Sequence, residues 1–312
     1  MENVLNNWLV TGANGNLGSR LLSELTSCEN TTVRAIVRSE SAKNDVNAML
    51  LTPGQRERLD VVVCDYTNQQ ALARAFQDYD KLVHLVGILK ETRVSKYVEA
   101  HEMSCEAISG AAQEASISHI VYLSIVGSKP NSPNACLASK GKAEKILMKG
   151  AVSCCVLRVP MVLGENDYAS RALYYRGRKG ISFSFRASSL EQPIYAGDVL
   201  EAIRLVSEKN LLGSLDLAGP EVLSRRQLAY RSAALLNNVT RVVSLPIVVG
   251  QTAAWFLELV MSDPPITSAM LDVLDHDDNL DHRLAMNEIG LESLTPLDTT
   301  LERVFSVILD GA

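Results

Sequence analysis

The stretch that most restricts the fold is Trp8-Leu9-Val10-Thr11-Gly12-Ala13-Asn14-Gly15-Asn16-Leu17-Gly18. A short apolar run stops at Thr11, and glycines follow at 12, 15 and 18. Beyond them Leu17, Leu21, Leu22 and Leu25 share one helical face. The pattern predicts a strand, a tight glycine turn and a helix. Glycines there let the backbone approach a diphosphate, while the first N–H groups of the helix, at the positive end of its dipole, face the anion. Ala13, Asn14, Asn16 and Leu17 lie in the same turn and are candidate contacts with the ligand. A glycine triplet alone is weak evidence; one set between a strand and a helix is much more specific.

A chain of 312 residues can bury a large core in one large or two unequal domains. Its 47% apolar and 21% charged residues are ordinary for a globular protein, and its formal net charge of -6 argues against a nucleic-acid partner. The cysteines (Cys28, Cys64, Cys105, Cys136, Cys154, Cys155) show no metal-ligand spacing, so no metal is expected. They read as buried thiols of a reducing compartment, which implies a cytoplasmic protein. Met1-Glu2-Asn3 is unlike a secretory leader, so the triplets at Asn30 and Asn238 read as chance matches to a glycosylation acceptor. Val242 to Met261 is long and apolar but is interrupted by Ser244, Pro246, Gln251 and Glu258, so no transmembrane segment is expected. It reads as a helix lying on the protein, with peripheral membrane or protein docking through residues 242–261 as the alternative.

Further apolar runs predict strands at Thr32–Val37, Leu59–Cys64, Lys81–Val86, His119–Leu123 and Ser153–Val159. Helical stretches lie between them, among them Gln69–Phe76 and Val98–Ala115. Apolar strands alternating with helices predict an α/β fold, a doubly wound parallel sheet covered on both faces, with ligands at the carboxyl ends of the strands. After Val159 the pattern becomes less regular. The expected domains are 1–163, nucleotide-binding with later strand returns possible, and 164–312, a smaller, mainly helical substrate or lid domain. Helices are expected at Asp198–Lys209, Arg225–Asn237 and Thr252–Val260. The basic Arg171–Gly180 stretch reads as a solvated face rather than an anion-contacting lid.

At the end of the second strand, where an acid would hold the ribose 2′-hydroxyl of NAD, the chain has Val37-Arg38-Ser39. The Arg38 fork can pair with a 2′-phosphate, which favours NADP(H) over NAD(H); the alternative is a solvated arginine. Asp65, with Tyr66 beside it, follows the third strand and can accept from an adenine amine or cap the next helix, though Thr67 or Asn68 suits the cap better. Val86 and Gly87 close the fourth strand where backbone would pass the cofactor ribose. His84 lies within that strand and reads as a core residue.

Ser124 follows the fifth strand, and Cys136 and Lys140 lie four apart on one face of the next helix. With the glycine turn, this resembles the short-chain dehydrogenase/reductase superfamily and its Rossmann fold, whose members use a serine and a Tyr-x-x-x-Lys pair. Ser124 and Lys140 match; Cys136 stands where the tyrosine would be. The resemblance implies that Lys140 holds the nicotinamide ribose. A thiol is shorter than a tyrosine and a weak donor, so Cys136 is either a substitute acid or redox thiol, or the mark of a degenerate site that kept its cofactor.

Further segments are similar to the atypical branch of that superfamily: His84–Leu89, Ser139–Glu144, Arg158–Asp167, Gln192–Val199, Ala218–Glu221, Pro264–Thr267 and Asp277–Asn279. They resemble the group around the nucleotide-binding accessory subunit of respiratory complex I, and more distantly NmrA-like proteins and sugar-nucleotide epimerases. That likeness implies Pro160 beside the nicotinamide and Asp198 tying a loop to its helix, where it also suits an N-cap. Two functions follow: an NADP(H)-dependent oxidoreductase acting on an unidentified carbonyl or quinone-type substrate, or a non-catalytic NADP(H)-binding redox sensor or assembly protein.

Overall fold

The computed structural model describes residues 6–261, 267–273 and 277–310. Met1-Glu2-Asn3 and Pro264-Pro265-Ile266 lie outside the described residues. The chain forms two compact units, one of Met1–Ile88, Ser95–Arg158 and Ala202–Leu215, the other of Leu89–Val94, Val159–Glu201 and Asp216–Ala312.

The first part of the chain runs β1 (Asn6–Thr11), α1 (Asn16–Ser27), β2 (Thr31–Val37), α2 (Glu40–Asn47), α3 (Pro53–Glu57), β3 (Leu59–Val63), α4 (Gln69–Phe76) and β4 (Lys81–His84). A π-helical segment, Val98–Met103, leads into α5 (Ser104–Glu114), followed by β5 (His119–Ile125), α6 (Ala135–Lys149) and β6 (Ser153–Val159). Next come β7 (Val162–Leu163), α7 (Tyr168–Gly177), β8 (Ile181–Phe185), β9 (Leu190–Glu191), β10 (Ile194–Tyr195), α8 (Ala196–Glu208) and β11 (Gly213–Asp216). The last elements are β12 (Leu223–Ser224), α9 (Arg225–Leu235), β13 (Arg241–Leu245), α10 (Ile247–Val260), α11 (Ser268–Val273), α12 (His282–Ile289) and α13 (Leu297–Asp310).

The first unit is a doubly wound α/β sheet of seven strands in the order β11-β6-β5-β4-β1-β2-β3. The ladders joining β3, β2, β1, β4 and β5 are parallel. Thr11 pairs with both Ile36 and His84, and His84 with Tyr122, so these strands end at one level. Strand residues Leu9, Ile36, Leu82, Ile120 and Val156 are fully or nearly fully buried against Leu72 and Phe76 of α4, Ile108 of α5 and Leu147 of α6. Each such side chain contributes roughly 1.5–3 kcal/mol by leaving water. This explains why the strands are apolar throughout rather than alternating: both faces of the sheet are covered.

The fourth strand stops at His84, two residues earlier than its apolar run suggests. The expected Val98–Ala115 helix opens with π-helical backbone, which apolar periodicity does not report. The second unit has its own core of Leu163, Leu173, Tyr174, Leu228, Leu301 and Phe305. It is less purely helical than its sequence suggests, because β7–β10, β8–β13 and β9–β12 form two-stranded ladders.

Three local readings are corrected. Asp198 does not cap its helix: α8 begins at Ala196, and the Asp198 carboxylate instead accepts from Thr295 N (2.8 Å) and Thr295 Oγ1 (2.7 Å). The 242–261 run is a strand and a helix split at Pro246, which supplies no N–H and starts α10. Among the cysteines, all free, Cys28 is exposed rather than buried.

Candidate functional site

Adjacent parallel strands deliver their following loops to one edge of the sheet. In strand order that edge carries Asp65 after β3, Arg38 after β2, Gly12 after β1, Gly87 after β4 and Ser124 at the end of β5. These five candidates are therefore neighbours along one line, though 112 residues separate the first from the last in sequence order (12 to 124).

The glycine turn is built tightly. Gly12 has φ +70°, a conformation that favours glycine. A Cβ on Gly18 would come within 2.4 Å of Gly12 O and 2.8 Å of Ala13, so α1 could not approach the turn so closely with a side chain there. Gly15 N donates to Gly12 O (3.0 Å), and Gly15 forms the N-cap of α1 with no side-chain cap and no acid in the first turn. Asn14, Gly15 and Asn16 are exposed, Leu17 is half-buried, and Ala13 is buried. A helix start that is open, free of negative charge and lined by glycine suits an anion.

Tyr66 ties this turn to the next strand. Its hydroxyl donates to Ile36 O (2.8 Å) and accepts from Gly12 N (3.0 Å). Burial pushes the phenol up to about 12, against the opposing influence of Gly12 N–H and the Arg38 charge. Arg38 itself is exposed, beside Ser39, which caps α2 by accepting from Ala42 N. Asp65 is also exposed and uses Oδ1 to accept from Thr67 N and Thr67 Oγ1, both at 2.9 Å. Asn68 caps α4, as its residue type suggests. A groove of ≈ 630 Å³ runs past Asp65, Asn68 and Glu114.

Lys140 is the centre of the second half of the site. It is buried, and Nζ donates to Leu123 O (3.1 Å) and Val86 O (3.3 Å) while lying 4.5 Å above the Tyr122 ring. Gly87 makes this possible, because a Cβ there would meet Nζ at 2.8 Å. Two of the three ammonium protons are thus spent on backbone. Burial lowers the lysine to about 8, partly opposed by Cys105, Cys136 and Glu144.

Two imidazoles stand near it. His84, a core residue as its strand suggests, bonds through Nδ1 to Thr11 Oγ1 (2.6 Å) and stacks on Tyr122. His101 accepts from Ile88 N through Nε2 (3.1 Å) and stacks on Tyr97. Burial, then the Lys140 charge, holds His84 well below its usual range and brings His101 to about 3, so both rings are neutral at neutral pH.

Cys136 is fully buried, and its Sγ donates to Ile88 O at 3.5 Å. Its thiol rises to about 11. The adjacent lysine does lower it, as expected of a cation, but desolvation is the larger effect. Ser124 is buried as well and donates to Glu144, which is clamped by Arg158 through Nη2 (2.6 Å) and Nε (3.0 Å). Ser124, Cys136 and Lys140 therefore share one polar interior in the first unit. Pro160 is half-buried between β6 and β7 and belongs to the second unit.

Sequence reasoning missed the bridging role of Tyr66, the imidazole of His101 and the Glu144–Arg158 clamp. Only the last had a usable signal: an arginine inside the apolar strand Ser153–Val159 needs an anionic partner.

Residues 12–184 match the profile of a family described as NAD(P)H-binding. The chain belongs to the NAD(P)H-binding family. One relative is the mouse (Mus musculus) protein "NADH dehydrogenase [ubiquinone] 1 alpha subcomplex subunit 9, mitochondrial", 22% identical over 152 residues, which cover 48% of this chain and 40% of that one. The chain thus matches less than half of that relative's length.

Among solved structures, WbmG of Bordetella bronchiseptica in complex with NAD and UDP aligns with a TM-score of 0.73 at 17% identity, covering 97% of this chain and 94% of that one. The terminal R domain of the myxalamid PKS-NRPS pathway aligns at 0.74 and 18%, covering 100% and 92%. At such identities these show the fold alone, a Rossmann-like α/β fold over nearly the whole chain. The family's ligand is a pyridine nucleotide, and the uncapped, acid-free start of α1 fits its diphosphate.

Proposed function

We propose that this chain binds NADP(H) and holds it beside an acid–base site that no longer works as one. The observation that carries the reading is Cys136: its sulfur is buried, its proton is spent on the Ile88 carbonyl, and its thiol is pushed up to about 11. Nothing in that arrangement delivers a proton to an acceptor held at tyrosine length. The chain then acts as a redox sensor or assembly component, with the bound nucleotide stabilising its fold by mass action. The relative's name, a subunit of a respiratory NADH dehydrogenase, supports this reading.

In this reading the backbone from Gly12 to Gly18 holds the diphosphate, Arg38 pairs with the 2′-phosphate, and Asp65 and Tyr66 flank the adenine. Val86 and Gly87 pass the nicotinamide ribose, and Lys140 offers it the remaining ammonium proton. A bound nicotinamide supplies hydride chemistry. Ser124, already donating to Glu144, keeps a lone pair for a ligand but no second proton. The six free thiols support a reducing compartment such as the cytoplasm.

Calorimetric titration with NADPH and NADH tests the cofactor. Charge-assisted pairing with Arg38 should favour NADPH by about tenfold or more, and Arg38→Ala should erase the preference. Equal or tighter binding of NADH to the natural chain sinks it. A panel of quinones and carbonyl compounds tests the rest: no NADPH consumption is expected from the natural chain or from Cys136→Tyr, and turnover by the natural chain would instead establish the oxidoreductase.

A further inference from the structure

The second unit carries a surface that inverts the usual helix pattern. On α10 the large side chains Val248, Val249, Trp255, Phe256, Leu259 and Val260 face solvent, whereas the buried positions are Gly250 and Ala254. Trp255 is 63% and Leu259 69% exposed, so the apolar face is open rather than partly covered. The hydroxyl on that face, Thr252 Oγ1, bonds to Val248 O and Val249 O and so presents little polarity outward.

The face extends beyond the helix. In the parallel β8–β13 ribbon, Ile181 pairs with Arg241, Phe183 with Val243 and Phe185 with Leu245, and paired residues point the same way. The opposite side, Ser182 and Val242, is buried, so this set is the outward one. Phe185 meets α10 at Gly250, where a Cβ would come within 2.8 Å of its ring. Ribbon and helix therefore form one continuous apolar surface with Ile181 and Phe183 more than half exposed.

Its rim is mostly basic. Arg171–Arg186 contains no aspartate or glutamate, although the whole chain carries a net -6, and the one carboxylate of β13 and α10, Glu258, accepts from Ser268 N (2.8 Å) and Ser268 Oγ (3.1 Å). Arg178 and Lys179 immediately precede β8, and Arg241 stands opposite Ile181, all exposed at the same end of the ribbon. No helix among the described residues is long and apolar enough to cross a membrane.

We propose that the outward face of β8, β13 and α10 docks onto an anionic lipid surface, with Trp255 and Phe256 entering the headgroup region and Arg178, Lys179 and Arg241 meeting lipid phosphates. Apolar residues rimmed by basic ones are what such a surface binds, and Trp suits the interface. A second copy of the chain fits less well, because a two-fold contact would bring two basic rims together.

The full chain is tested by flotation with vesicles of phosphatidylcholine alone or with about one-third phosphatidylglycerol, near 0.1 M and about 0.5 M salt. Flotation with the anionic vesicles, weakened at higher salt, is expected. Tryptophan emission should shift to the blue, and Trp255→Phe should remove the shift because the other tryptophan, Trp8, is buried. Trp255→Asp/Phe256→Asp and Lys179→Glu/Arg241→Glu should each bind about tenfold less or worse. Both alter exposed side chains, so unchanged nucleotide affinity and thermal midpoint will show intact folding. Absence of flotation and shift, or equal binding to both kinds of vesicle, overturns the proposal. Lipid-free dimerisation that buries Trp255 also overturns it, assigning the face to a second copy.

Discussion

Cys136 and Lys140 lie one helical turn apart, and the interior treats them oppositely: burial raises the thiol to about 11 and lowers the ammonium to about 8. Neither is therefore a strong base or acid at neutral pH by proximity alone. Alkylation by iodoacetamide at pH 8 followed by peptide mass analysis should find Cys28 modified and Cys136 untouched, since a buried thiol held three units above that pH offers almost no thiolate. Rapid labelling of Cys136 would show the site to be open and revive its role as a reacting group. Gly18 is the other decisive residue. Gly18→Ala must push α1 away from Gly12 O, and pyridine-nucleotide affinity should fall by about tenfold or more even if the chain still folds. An unchanged dissociation constant would mean that the diphosphate lies elsewhere.

At the scale of elements, α6 and β6 are joined by a clamp that is more demanding than a packing contact. Glu144 is nearly fully buried on α6 and receives both Ser124 and Arg158. Arg158→Ala should destabilise the fold by about 3 kcal/mol in urea denaturation, because it leaves a carboxylate buried without its counter-ion. Glu144→Gln/Arg158→Met should recover much of that loss; if the double variant is no better, the clamp contributes through shape rather than charge. Elements were largely legible from apolar pattern. The strand Ser153–Val159 and the helix Gln69–Phe76 lie where the pattern puts them, because buried strands and amphipathic helices announce themselves in hydrophobicity. Asp198 does not act as a cap because capping is decided by where a helix starts, and α8 starts at Ala196, two residues before it. Gln192, which opens one of the segments similar to the atypical branch, is a strut: its Nε2 donates to Gly219 O (2.8 Å) and Leu280 O (3.1 Å).

For the whole molecule, acid stability follows from three buried imidazoles, His84, His101 and His119, each lowered chiefly by burial. Their folded-state values lie below the ordinary 6.5, so the unfolded chain takes up protons first as the pH falls. Stability is then fully present above about 6.5 and is lost progressively below it; at pH 5 His101, held at about 3, should account for about 2 kcal/mol of the loss. Thermal melts from pH 7.5 to pH 5 should show this fall, and His101→Gln should flatten its share of it. A melting temperature insensitive to pH across that window would mean that the imidazoles are not neutral inside.

The sequence by itself determined the α/β class and the glycine turn, and set the candidate residues at the ends of strands. These follow from local rules: period of hydrophobicity, the special backbone freedom of glycine, and the placement of ligands at parallel strand ends. Only the tertiary structure decided how the side chains behave there. Whether Cys136 is acidic, whether Lys140 has protons to spare, and whether α10 hides or shows its apolar face all depend on desolvation and on partners far away in the chain. Those are properties of the surroundings, and no spacing of residues along the chain states what the surroundings will be.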